Sequence, residues 1–229
     1  MTQRSDSSSP PAAGPLPPEP WSASQPAPGR PGLAALSAGR VHEATGPGRL
    51  AFALALAGET SGAVLWVMDV RRREVPCPQG IGPLLDPGRL ILVRPTGPLA
   101  ALQATEESLR SGAVPLVIAD LDAAPDLTQS RRLQLAASTG GGRGLCLVPE
   151  RGLGANAAET RWHCAPICVR EIRPSGGAQH AAQHWELIKN KRGQLGAWEV
   201  WLADRPGPVR EAPVSPVAKA TATAMRRAG

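Results

Sequence analysis

Apolar positions are arranged in two alternating ways along the middle of the chain. Ala63 to Met68 (Ala-Val-Leu-Trp-Val-Met) is a continuous apolar run between a glycine and an aspartate, the form of a strand covered on both faces. Leu90 to Val93, introduced by the turn Asp86-Pro87-Gly88, is a second such run, Leu116 to Ala119 ending at Asp120 a third, and Gly144 to Val148 a fourth. Helical stretches separate them. Arg49 to Ala57, rich in Ala and Leu, reads as a buried helix. Pro98 to Arg110 reads as a helix with Leu99, Leu102 and Leu109 on one side and Gly112 just past its end. Asp126 is placed to cap a helix over Leu127 to Ser138, which Gly140-Gly141-Gly142 stops. Strands alternating with helices predict a parallel sheet with helices on both faces.

After Glu159 the texture changes. Thr160 to Arg173 and His184 to Lys191 mix polar and apolar residues. A turn at Arg192-Gly193-Gln194 leads into Ala197 to Leu202, where Trp198, Val200 and Leu202 alternate with Glu199 and Trp201. These segments are expected to be antiparallel strands at one edge of the sheet. The predicted fold is therefore α/β, a mostly parallel central sheet flanked by helices with a C-terminal antiparallel hairpin.

Composition sets the limits of that core. Residues 1–32 are dominated by Ser, Pro, Gly and Ala and are expected to be disordered. Residues 204–229 carry Pro206, Pro208, Pro213 and Pro216 and end near Arg226 and Arg227, so they are expected to form a flexible basic tail. The folded core is then 33–203. The net charge of +6 suits an anionic partner, DNA or an acidic protein surface. Of the four cysteines, Cys164 and Cys168 are close together beside His163, but Cys77 and Cys146 supply no second ligand pair, so no metal site is expected. No apolar leader is visible, and the run Leu50 to Ala57 falls far short of the roughly 20 residues that span a bilayer. A cytoplasmic protein, with nucleoid association as a further option, is expected.

The order of these pieces resembles the RecA ATPase core. Gly39 to Pro47 looks like the strand and turn that lead into its phosphate loop, and Ala63 to Asp69 like its next strand. Ser111 to Asp120 looks like the strand holding the magnesium-side aspartate, and Trp185 to Lys191 with Trp198 to Leu202 like the closing hairpin. A more specific resemblance is to the ImuA family, RecA-like accessory proteins of bacterial mutagenesis cassettes, in its alphaproteobacterial form. It is carried by Gly39-Arg40-Val41-His42-Glu43, Asp86-Pro87-Gly88-Arg89-Leu90, Glu106 to Gly112, Ser130 to Ala136, and Thr160-Arg161-Trp162, in that order.

The ATP-handling chemistry of such a core is missing. A phosphate loop reads Gly-x-x-x-x-Gly-Lys-Ser/Thr, so that backbone N–H groups, a lysine and a hydroxyl hold the phosphates and Mg²⁺. Here Gly46, Pro47, Gly48 and Arg49 run straight into Leu50-Ala51-Phe52. The loop is short, Pro47 lacks an N–H, and no Lys-Thr pair follows. Asp69 stands where RecA has an acidic residue, but the water-activating glutamate two places on is replaced by Arg71. A fixed cation cannot accept a proton. Asp120, at the magnesium-side position, is expected to cap its strand or pair with an arginine. No cofactor and no catalysis are expected.

Several basic and aromatic residues are candidate contacts for DNA or a protein partner. Arg71, Arg72 and Arg73 follow a strand at the rim where α/β sheets bind ligands. Arg131 and Arg132 lie on a helix whose other face carries Leu127 and Leu135, one of them expected in an internal ion pair. Lys189, Lys191 and Arg192 stand near Trp198 and Trp201, a pairing that suits phosphate contact and base stacking. Arg226 and Arg227 end the tail. The resemblance implies a non-catalytic adaptor in damage-induced (SOS) mutagenesis and translesion synthesis. Its implied partners are an ImuB-like Y-family protein, RecA and an error-prone C-family DNA polymerase. The alternatives are a RecA-like ATPase with a divergent phosphate loop and a SulA-type cell-division inhibitor.

Overall fold

The computed structural model describes residues 35–72, 74–167 and 181–202, and the backbone of 210–213. The stretch 1–32, Arg73, Cys168, His180, and Arg226 with Arg227 lie outside the described residues.

The expected alternation is present. In chain order the elements are β1 (Val41–Thr45), α1 (Arg49–Glu59), β2 (Val64–Met68), the short α2 (Pro78–Ile81), β3 (Leu90–Val93), α3 (Pro98–Ser111), β4 (Leu116–Asp120), α4 (Leu127–Gly140), β5 (Arg143–Leu147), β6 (Thr160–Ile167), β7 (Ala181–Asn190), β8 (Gly196–Leu202) and β9 (Arg210–Pro213). The strands form one sheet in the order β3-β2-β4-β5-β1-β6-β7-β8-β9. Pairings from β3 to β6 are parallel and those from β6 to β9 antiparallel. This is an α/β, RecA-like arrangement. Local signals set the helix ends as expected. Asp126 and Gln129 make a reciprocal capping box, and Gly112 and Gly141 take left-handed conformations just past α3 and α4.

Two apolar layers flank the sheet. On one face α1 brings Phe52 and Leu56 onto Trp66, Ile118, Leu145, Trp162, Trp185 and Trp198. On the other, α3 and α4 bring Leu109, Leu133 and Ala137 onto Val67, Val117 and Cys146. Phe52 meets Trp185 edge-on with centroids 4.7 Å apart and Trp162 at 5.4 Å. Burial of one such ring contributes roughly 1.5–3 kcal/mol. The four tryptophans of this layer are thus core residues.

The structure corrects four readings. β6 is parallel to β1, with Glu43 opposite Arg161 and Thr45 opposite His163; the antiparallel part starts only at β7. Its polar texture reflects buried polar partners on β1 rather than an exposed edge. β3 is not buried on both faces: it ends the sheet, and Ile91 and Leu92 are exposed. α3 buries Ala101, Thr105 and Leu109 while Leu99 faces out. α4 buries Ser130, Leu133, Ala136 and Ala137, leaving Leu127 and Leu135 exposed. In addition, the stretch read as a tail contributes β9, which pairs with β8.

Candidate functional site

The carboxyl ends of the parallel strands form the rim on which α/β sheets bind ligands. On it lie the turn 46–49, Asp69, Arg71, Arg72 and Asp120. The turn follows β1 and starts α1. Gly46 sits at φ +89, and a Cβ added there would come within 2.3 Å of the Cys164 carbonyl oxygen. A Cβ on Gly48 would lie 2.6 Å from Gln183 Oε1 and 3.0 Å from the Ala165 nitrogen. The glycines therefore allow the turn to press against β6 and β7. Two amides of the turn are spent inward. Gly48 N–H donates to the Cys164 carbonyl at 2.8 Å and Arg49 N–H to Gly46 at 3.3 Å, while Pro47 has none. The Arg49 guanidinium folds back onto the same Gly46 carbonyl at 3.2 Å. The next residues offer no polar replacement: Leu50 is apolar and half exposed, and Phe52 is buried in the tryptophan layer.

The acidic side chains at the rim, Asp69 and Asp120, are faced by arginines. Arg71 closes on Asp69 through Nε at 3.0 Å and Nη2 at 2.7 Å, and its backbone N–H adds a bond at 2.8 Å. The N–H of Gly97, at the start of α3, supplies a further donor at 3.0 Å. These donors, Arg71 foremost, hold the Asp69 carboxyl well below the usual carboxylate range. Asp120 is nearly inaccessible, and burial raises its pKa against the opposing pull of Arg72 and Arg49. Arg72 Nη2 lies 3.4 Å from Asp120 and 2.9 Å from Asp122. Asp120 Oδ1 is buried without a hydrogen bond. Arg94 ties this corner together by donating to the carbonyls of Val70 and Arg72 at 2.8 and 2.6 Å.

The remaining candidates are not brought together with these. Lys189, Lys191 and Arg192 lie at the opposite end of the sheet, where they fasten the loop before β6. Lys189 Nζ donates to the Asn156 carbonyl at 3.0 Å and side-chain oxygen at 2.9 Å, and Lys191 Nζ to the Ala157 carbonyl at 2.7 Å. Arg192 Nε stands 2.7 Å from the Glu159 carboxylate. Burial lowers the Lys189 pKa. Trp198 is buried, with its ring 5.5 Å from Trp162, so it offers no face for a base to stack on. The side chain of Trp201 lies outside the described residues. Arg132 pairs with Glu106 at 2.8 Å, and Arg131 is exposed.

The sequence reading missed a buried polar network beneath β1. Glu43, 1% exposed, accepts from Arg161 Nε at 2.7 Å and from the Asn156 amide, and Arg161 Nη2 reaches the Gly154 carbonyl at 3.0 Å. On the other face His42 Nδ1 meets Thr160 Oγ1 at 2.8 Å and Nε2 meets the Ser37 carbonyl at 3.2 Å. Burial pushes the His42 pKa down to about 4. The signal lay in the two strings Gly39 to Glu43 and Thr160 to Trp162, which turn out to be neighbouring strands. Two other strings also meet, through Glu106 and Arg132. Arg89 of a further string donates to the carbonyls of Gly62, Ala57 and Thr60 around the end of α1. The residues that carry the family resemblance are joints of the scaffold.

Burial pushes the Cys146 and Cys164 thiols up, and Cys77 is exposed. Among the described residues no group of three or more His, Cys, Asp or Glu is placed to hold a metal ion, and no helix is long and apolar enough to cross a membrane.

No protein-family model matches the chain. It is 31% identical over 153 residues to Protein ImuA of Caulobacter vibrioides strain NA1000 / CB15N. It is equally similar to Protein ImuA of strain ATCC 19089 / CIP 103742 / CB 15 of the same species. Each match covers 62% of the chain and 62% of the relative, so the likeness spans less than two thirds of the relatives' length. The resemblance to ImuA of the alphaproteobacterial kind is borne out.

Proposed function

We propose that this ImuA-like chain is a non-catalytic scaffold in DNA-damage-induced mutagenesis, joining an ImuB-like Y-family partner, RecA and an error-prone C-family polymerase for translesion synthesis. The observation that carries the reading is the turn 46–49. Its glycines are packed against β6 and β7, the amides of Gly48 and Arg49 bond inward, Pro47 has none, and its arginine binds its own turn. Three further features support it. Arg71 covers Asp69, Arg72 stands against Asp120 and Asp122, and the strings that carry the family resemblance lie in structural joints. A protein of this kind acts through its surfaces, by holding partners close to one another.

Co-expression with the ImuB-like protein of the same genome is the direct test. The account expects the two to co-elute through affinity and size-exclusion steps, with phosphate release from ATP no greater than that of the buffer. Failure to co-elute when both proteins are folded contradicts the adaptor role. Turnover by the purified chain would point to the divergent ATPase.

A further inference from the structure

The outer side of α4 carries a ridge that no described residue covers. The helix spends Ser130, Leu133, Ala136 and Ala137 on the core, yet Leu127 is 54% and Leu135 69% exposed. Arg131 stands exposed between them. At four-residue intervals the three side chains fall in one line along the helix, its leucines about 12 Å apart. Nearby arginines are committed: Arg110 and Arg132 share the carboxylate of Glu106. Arg131 has no ion pair among the described residues. The ridge is therefore apolar at both ends and carries an unmatched positive charge at its centre.

We propose that this ridge docks a helical segment of a partner protein that sets a carboxylate between two apolar side chains. The proposal rests on the reading that the chain works by binding, and it names the contact. A carboxylate opposite Arg131 completes the charge while its flanking apolar groups cover Leu127 and Leu135. Two other occupants fit less well. A second copy packed antiparallel about the centre of the ridge sets Arg131 against Arg131, like charge on like. A nucleic-acid backbone satisfies the arginine but presses charged phosphates onto two leucines, which need an apolar cover.

The test uses a short fluorescein-labelled helical peptide with Leu, Glu and Leu at four-residue intervals, titrated against the full chain. The expected result is a saturable rise in anisotropy, weakened about tenfold or more by Arg131→Glu. A peptide with Arg in place of its Glu should then bind the Arg131→Glu variant. Leu135→Lys should weaken binding of the first peptide with an unchanged urea midpoint. Absence of saturable binding overturns the proposal, as does equal binding by wild type and Arg131→Glu. Two results overturn it in favour of another occupant: a dimer that Leu135→Lys dissolves, or duplex DNA binding that Arg131→Glu removes while the peptide stays unbound. Because the peptide is tested without the ImuB-like protein, loss of that partner's co-elution with peptide binding intact overturns the adaptor reading alone.

Discussion

Gly46→Ala separates a packed joint from a ligand loop. Gly46 lies at φ +89, where a side chain costs roughly 1–2 kcal/mol. Its new methyl would also meet the Cys164 carbonyl oxygen at 2.3 Å. That is a backbone atom of β6, held between β1 and β7, so it cannot yield as a side-chain tip would. Overpacking of this sort costs roughly 1–3 kcal/mol. The sum, about 2–5 kcal/mol, lowers the urea midpoint by about 1–2.5 M at a slope near 2 kcal/mol per M. Tryptophan emission is the natural readout, because Phe52 connects the turn to Trp162 and Trp185. In a working phosphate loop the same change would act chiefly on nucleotide affinity. A midpoint within about 0.25 M of wild type would refute the reasoning.

Three other perturbations follow from the same geometry. His42 titrates near 6.5 unfolded and about 4 folded, so between these values the unfolded chain holds the extra proton. Stability is then full above about pH 6.5 and falls by up to about 3 kcal/mol as pH drops towards 4. His42→Gln should lose this component of the pH slope, and an unchanged slope would rule it out. Arg161→Met leaves the Glu43 carboxylate buried without its cation and should cost roughly 3–5 kcal/mol, most of it recovered by adding Glu43→Met; a urea denaturation cycle measures both. Arg71→Glu returns an acid to the place where RecA has one, yet phosphate release should stay at background because the turn 46–49 is unaltered; a rate above that of wild type counts against this.

The sequence made some parts of the fold legible because local chemistry decides them. Gly112, Gly141 and the Asp126 cap each act within a few residues, and the apolar runs of β2, β4 and β5 are interior strands. Reading failed where the neighbour in space decided. Leu90 to Val93 is as apolar as an interior strand but stands at the end of the sheet. Thr160 and Arg161 look like edge residues but are buried against His42 and Glu43 from 118 positions away. In the candidate site, the missing lysine and the arginine at 71 were visible in one dimension. That Gly46 and Gly48 are packing points on β6 and β7, and that Lys189 and Lys191 are fasteners, depended on tertiary contacts.

The proposed adaptor role requires that the rim of this sheet accommodate no nucleotide. Isothermal titration of Mg-ATP into the purified full chain, with active RecA as the positive control, tests it most directly. The account predicts heats indistinguishable from dilution at millimolar nucleotide. Saturable one-site binding that Arg49→Ala or Asp120→Asn weakens would contradict it.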